Sequence, residues 1–261
     1  MEKETLKSTA TFLENAETQK TEVTRITADR HPDLSLDEAY QIQRELVNLK
    51  LERGHKIIGP KMGLTSEAKM KQMNVSDPIY GYVFDYMVLS NGETLATKEL
   101  IHPKVEPEVA FILKEDVQGP GITGAQILQA TEYVFPALEI IDSRYENFNF
   151  TLPDVIADNT SASRVIFGSD LRKSDDLELD LIGVTLSING EIKSLGASAA
   201  VLGHPAHSVA RLANMLARNG ETLKAGQPIL TGGITAAIRL APGDYVSAKL
   251  DGLGEVACFV E

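Results

Sequence analysis

A single cysteine, Cys258, is all the thiol the chain carries, so no intrachain disulfide braces it. No stretch approaches the roughly 20 apolar residues that a membrane-spanning helix needs. The opening MEKETLKSTATFLENA carries charges where a secretory signal would need an apolar run. These absences lead us to expect a cytoplasmic protein that does not enter the membrane. Positive charge is also scarce. Against 37 Asp and Glu there are 25 Lys and Arg, and the net charge of -12 repels nucleic acid and anionic lipid, so neither is expected as a partner. Apolar content is ample: at 43% of 261 residues the chain can bury a full core, as one domain or as one plus a smaller helical unit.

Periodicity divides the chain unevenly. Leu6, Ala10, Leu13 and Ala16 trace one helical stripe, and a second helix opens with Ser35 and Glu38 in capping-box spacing and continues through Ala39, Ile42, Leu46 and Leu49. Gly54 is placed to stop it, after Lys50 and Arg53, whose charge suits the C-terminal dipole. Beyond that point strands and turns dominate. Asn189-Gly190 between Val184–Ile188 and Glu191–Lys193 predicts a type I′ hairpin. Pro242-Gly243-Asp244 and Asp251-Gly252-Leu253-Gly254 bracket a strand, Tyr245–Leu250, which Glu255–Val260 should pair. One helix is expected in this half, from Val209, Leu212, Ala213, Met215 and Leu216, with Gly220 as its cap. The fold class is therefore α+β, with an N-terminal helical region, residues 1–70, packed on a β-rich body, residues 71–261.

Chemistry first suggests itself in Val105-Glu106-Pro107-Glu108-Val109. Side chains alternate along a strand, so Glu106 and Glu108 point the same way out of an otherwise apolar segment. Glu139 ends another apolar run, where a buried carboxylate needs a counter-charge. Three inward carboxylates would make a hard-oxygen site suited to Mg2+ or Mn2+. The competing reading of Glu106 and Glu108 is a solvated edge strand blunted by Pro107. Lys61 lies between glycines that let a ligand approach the backbone, either as a buried cation or as a surface turn residue. Asp158-Asn159-Thr160-Ser161 and Thr231-Gly232-Gly233-Ile234-Thr235 are loops rich in hydroxyls, amides and free N–H groups, or else ordinary turns. His102 and His204, each before a proline, read as satisfied turn residues.

Six segments in order, Lys61–Ser66, Pro78–Gly81, Ile101–Glu108, Ile141–Phe148, Leu202–Pro205 and Thr231–Ala237, resemble those of the 4-oxalocrotonate decarboxylases. These are sisters of the 2-hydroxypentadienoate hydratases within the fumarylacetoacetate hydrolase superfamily. The resemblance covers nearly the whole chain. It implies a mixed β-roll, a divalent metal, Mg2+ or Mn2+, on Glu106, Glu108 and Glu139, and a place in the meta-cleavage degradation of aromatics. The implied reaction is loss of CO2 from the dicarboxylate 2-oxohex-3-enedioate. Lys61 and Ser161 are then the catalytic candidates, with Thr231 and the N–H groups around Gly232 and Gly233 as further substrate contacts. Arg144 could fork onto the distal carboxylate, although too firm a grip would stabilise the ground state, which places it below Lys61. In the hydratases an acidic residue follows the proline of the second motif; here Pro78 is followed by Ile79, an apolar wall that suits a poorly solvated leaving carboxylate. A hydratase, or a silent partner subunit of one, remains the alternative. The resemblance also implies association with the pathway hydratase, which the polar first helix could serve, and a homo-oligomer is expected.

Overall fold

Local chemistry sets the helices. In the computed structural model, which describes residues 1–66, 70–71 and 77–261, Ser35 and Glu38 form the expected reciprocal box at the start of α3 (Leu36–Glu52). Helix α1 (Lys3–Gln19) buries Leu6, Ala10, Leu13 and Ala16, and α2 (Ile26–Asp29) is a single turn. Two short helices appear where only strand and turn were expected. For α4 (Gly124–Ala130), Thr123 and Gln126 cap each other; for α5 (Leu152–Ala157), the Asp154 carboxylate takes the Thr151 N–H and hydroxyl. The helix expected before Gly220 is α6 (Pro205–Leu216), begun by His204, whose Nδ1 accepts the Ala206 N–H. No helix among the described residues is long and apolar enough to cross a membrane.

The strands make two sheets. The larger contains β1 (Ile57–Gly63), β2 (Ile79–Phe84), β3 (Val88–Leu89), β5 (Lys104–Leu113), β6 (Thr131–Ile141), β7 (Ala162–Phe167), β10 (Pro228–Leu230) and β11 (Ile238–Arg239), in the order β2-β1-β10-β5-β6-β7-β3 with β11 also on β5. The smaller runs β4-β13-β12-β8-β9, from β4 (Thr94–Leu95), β13 (Gly254–Val260), β12 (Tyr245–Leu250), β8 (Gly183–Ile188) and β9 (Glu191–Ala197). Asn189 and Gly190, both at positive φ, close the β8-β9 hairpin, and β12 pairs antiparallel with β13 as their spacing predicts. β1, although within residues 1–70, is an integral strand of the large sheet.

The two faces of the large sheet have different company. Met62, Tyr80, Val109, Phe111, Leu138 and Ile140 point one way, into a core shared with the smaller sheet and α6. Lys61 is in register with Leu230 and Gly81, Leu230 with Ala110, and Glu106 with Glu139. Period-two alternation therefore sends Lys61, Ile79, Glu106, Glu108 and Glu139 out of the other face. That face lies under the helices: Ile79 packs in a cluster with α1, α3 and α5, among them Leu13, Ile42, Leu46 and Ile156. Strand alternation thus creates one dry side and one that collects the polar chemistry.

Candidate metal centre

β5 is no edge strand. It lies between β6 and β10, and Glu106 sits directly opposite Glu139 across the β5-β6 ladder. This overturns the solvated reading of Glu106 and Glu108. Pro107 is tolerated because its carbonyl accepts the Ile234 N–H at 3.0 Å. The N–H and C=O of a strand residue leave on the same side, so the proton that proline lacks would have faced the 231–237 loop and not β6. That loop interrupts the pairing of β5 between β10 and β11, and its glycines fill the gap.

One carboxylate oxygen from each of Glu106, Glu108 and Glu139 lies within 4.8 Å of the other two, and all three residues are buried. Burial, followed by the Glu139 and Glu106 charges, pushes the Glu108 carboxyl well above the usual range. Burial raises Glu139 as well, with Lys61 opposing. Glu108 Oε1 and Glu139 Oε2 have no hydrogen-bond donor among the described residues. Such oxygens are costly to leave unmatched. A hard divalent cation fits this donor set, since it would neutralise the charge and occupy the free lone pairs.

The neighbouring loops fix the carboxylates. Gly232 N–H donates to Glu108 Oε2 at 2.7 Å, so that N–H orients a carboxylate and is not free for substrate as expected. A Cβ on Gly233 would fall 2.1 Å from Glu106 Oε2, which leaves room only for glycine. Thr231 gives its hydroxyl proton to Val109 O at 2.8 Å and so secures the loop to β5.

Lys61 is buried, with Nζ 3.0 Å from Glu139 Oε1 and 3.1 Å from Thr160 O. An ammonium has three donors, and among the described residues these contacts use two of them, which leaves one N–H for a ligand. Thr160 is held within three consecutive left-handed residues, Asn159, Thr160 and Ser161. Asn159 clamps both the N–H and the C=O of Tyr82, each at 2.8 Å, and a Cβ on Gly81 would meet Asn159 O at 2.6 Å. Ser161 gives its N–H and its hydroxyl to Asp158, at 2.8 and 3.2 Å. Burial pushes Asp158 up to about 6 against the pull of Arg144. Both Ser161 donors are thus occupied, and the residue anchors the turn under Lys61.

Arg144 is not brought to the carboxylates. Its guanidinium is buried and donates to Glu17 Oε2 at 2.6 Å, Asp142 O at 2.8 Å and Ala162 O at 2.9 Å. These bonds link α1 to the sheet and leave the Arg144 Nε without a partner among the described residues. Lys50 stands in the last turn of α3 as expected, and it is also buried against Glu14 and Glu17. Spacing did not reveal Glu17, nor Thr65, a buried hydroxyl beside Gly232.

Comparison with known proteins agrees with this arrangement. The model of the fumarylacetoacetate (FAA) hydrolase C-terminal family matches residues 62–261. A 4-oxalocrotonate decarboxylase of Pseudomonas sp. (strain CF600) is 49% identical over 95% of this chain and 94% of its own. A 2-keto-4-pentenoate hydratase of Paraburkholderia xenovorans (strain LB400) is 38% identical over 87% and 85%. The solved 4-oxalocrotonate decarboxylase of Pseudomonas putida G7, complexed with magnesium and adipate, superposes with a TM-score of 0.98 at 44% identity, covering 100% of this chain and 99% of that one. The chain belongs to the fumarylacetoacetate hydrolase family, among relatives that include decarboxylases and hydratases of unsaturated 2-oxo acids.

Proposed function

We propose that the protein is a carboxy-lyase that releases CO2 from 4-oxalocrotonate (2-oxohex-3-enedioate) and forms 2-hydroxypenta-2,4-dienoate, in the meta-cleavage degradation of aromatic compounds. The observation that carries this reading is the buried trio Glu106, Glu108 and Glu139 with Lys61 on one of its members, in a chain 49% identical to a 4-oxalocrotonate decarboxylase. The three carboxylates would hold Mg2+ or Mn2+. A bound divalent cation supplies Lewis-acid stabilisation of the negative charge that collects on the 2-oxo acid end as the distal carboxylate departs.

The protein's own groups do the rest. Lys61 turns its remaining N–H toward a substrate oxygen, and its charge, shielded from water, favours the electron-rich state over the ground state. Ser161 and Asp158 hold the turn that presents Thr160 O and so fix the Lys61 ammonium in direction. Gly232 aims Glu108, and Gly233 gives Glu106 room. Ile79 shares the sheet face of Lys61 and is two pairs along from its register position. There it offers neither a proton nor a site to order water, which favours decarboxylation over hydration. The protein acts in the cytoplasm as a homo-oligomer, and the polar outer face of α1 is the surface assigned to a partner hydratase.

The deciding assay offers the six-carbon diacid and the five-carbon dienol separately. We expect CO2 from the diacid, abolished by chelator and restored by Mg2+ or Mn2+. Consumption of the dienol with no CO2 from the diacid would instead identify a hydratase.

A further inference from the structure

The end of β1 holds a polar group that neither fold nor mechanism has used. Leu64, just after Gly63, has φ +56, and Leu202 has φ +49. Bulky side chains rarely occupy this region, and they persist there only when the surroundings demand it. Between them they fix Thr65, whose carbonyl accepts the Leu202 N–H at 3.0 Å. Thr65 is 1% exposed, and its Oγ1 has no hydrogen-bond partner among the described residues. Nearby hydroxyls are satisfied: Thr160 donates to Tyr80 O, Thr231 to Val109 O and Ser208 to Thr231 O. Among these loop hydroxyls only that of Thr65 is left without a partner within the described residues.

It lies near Glu108 of the carboxylate trio. A Cβ built on Gly232 would fall 2.0 Å from Thr65 Oγ1, so the hydroxyl rests against the residue whose N–H holds Glu108 Oε2 at 2.7 Å. Standard bond lengths then put the hydroxyl at most about 8 Å from that carboxylate oxygen. An unmatched buried hydroxyl destabilises a fold, and valine would fill the same space without that penalty. Two strained residues holding such a group within about 8 Å of a Glu108 oxygen indicate a donor kept for a ligand.

We propose that the Thr65 hydroxyl donates a hydrogen bond to an oxygen of the 2-oxo acid end of the bound substrate, beside the free N–H of Lys61. The assignment rests on the decarboxylase reading and adds to it a substrate-binding residue. The test uses Thr65→Val and Thr65→Ser, with 2-oxohexanedioate as a saturated, unreactive probe for calorimetric titration of the Mg2+-loaded proteins. Thr65→Val should bind the probe about ten- to a hundredfold more weakly, lose kcat/KM to a similar extent, and melt no lower than wild type without ligand. Thr65→Ser should restore most of the affinity. Equal probe binding by wild type and Thr65→Val would overturn the proposal and leave the decarboxylase reading standing, whereas failure of the wild type to bind the probe would remove both. A lower melting temperature for ligand-free Thr65→Val would show that the hydroxyl serves the fold, and would also overturn it.

Discussion

Glu17→Gln tests whether Arg144 belongs to the fold or to the substrate. Glu17 Oε2 lies 2.6 Å from Arg144 Nη2 and 2.9 Å from Lys50 Nζ, and Oε1 accepts the Tyr86 hydroxyl at 2.7 Å. Burial alone would raise this carboxyl, yet Arg144 and Lys50 together hold it below the ordinary value of 4.5. Glu17 is the one carboxylate shared by Lys50 and Arg144; Lys50 also meets Glu14, Arg144 also feels Asp158 and Asp142, and Arg53 lies at the half-exposed rim. Neutralising Glu17 removes the carboxylate that two buried cations share, and breaking a buried pair in this way costs about 3–5 kcal/mol. At about 2–4 °C per kcal/mol for a chain of this size, the melting temperature should fall by roughly 6–20 °C at pH 7. The sign with pH is fixed. A carboxylate whose folded pKa is depressed contributes stability that is full above its unfolded value near 4.5 and is lost as pH falls toward the folded one. Glutamine lacks that contribution, so the gap between wild type and variant should hold from pH 7 to about 4.5 and shrink as pH falls further. Equal melting at pH 7, or a gap that stays constant in acid, would refute the charge account. Arg144→Met should likewise lower melting while leaving KM of the folded fraction unchanged; a raised KM at normal stability would return Arg144 to the substrate.

Glu108→Gln should weaken metal binding at least about tenfold in calorimetric titration and abolish turnover, and full activity in thorough chelator would sink the metal reading. For Lys61→Met we expect kcat to fall by about two to three orders of magnitude with metal still bound; a change in KM alone would mark uniform binding. Ile79→Asp places a carboxylate on the Lys61 face of the sheet and should slow CO2 release, and an unchanged rate would show that this wall does not touch the reacting end. In Gly233→Ala the new methyl meets Glu106 Oε2 at 2.1 Å, so metal affinity should drop while thermal stability changes little, checked by titration beside a melting curve.

Some of this was legible in the sequence for identifiable reasons. Capping boxes, the Asn189-Gly190 turn and the β12-β13 pair are local, and local rules describe them. The glutamate trio was legible because period-two alternation predicts the face of Glu106 and Glu108, and a charged residue ending an apolar run marks Glu139. α4 and α5 were missed although Thr123/Gln126 and Thr151/Asp154 have capping spacing, because elements of seven and six residues carry too little periodicity. The burial of Arg144 and Lys50 against one carboxylate was missed for a different reason. Their partner, Glu17, lies 127 and 33 residues away in sequence, and a long-range ion pair has no spacing signature. Pro107 suggested an edge strand because the edge rule assumes that both sides of a strand need ladder hydrogen bonds. Here a loop interrupts one side.

The strained backbone shows why that loop-built half resists sequence reading. Of the non-glycine residues at positive φ among the described residues, Leu64, Asn159, Thr160, Ser161 and Leu202 all lie around Lys61 and the glutamates. Each costs on the order of 1–2 kcal/mol relative to a relaxed conformation, and none is a glycine whose presence would announce it. Their compensation is visible atom by atom: Asn159 against Tyr82, Thr160 against Tyr80 and Lys61, Ser161 against Asp158, Leu202 against Thr65. These bonds join segments that lie far apart in sequence and meet only in the assembled sheet. In such a site, carboxylates that repel one another are held near each other by contacts from the fold, Glu108 by Gly232 and Glu139 by Lys61. Preorganised repulsion of that kind is what a divalent cation relieves on binding.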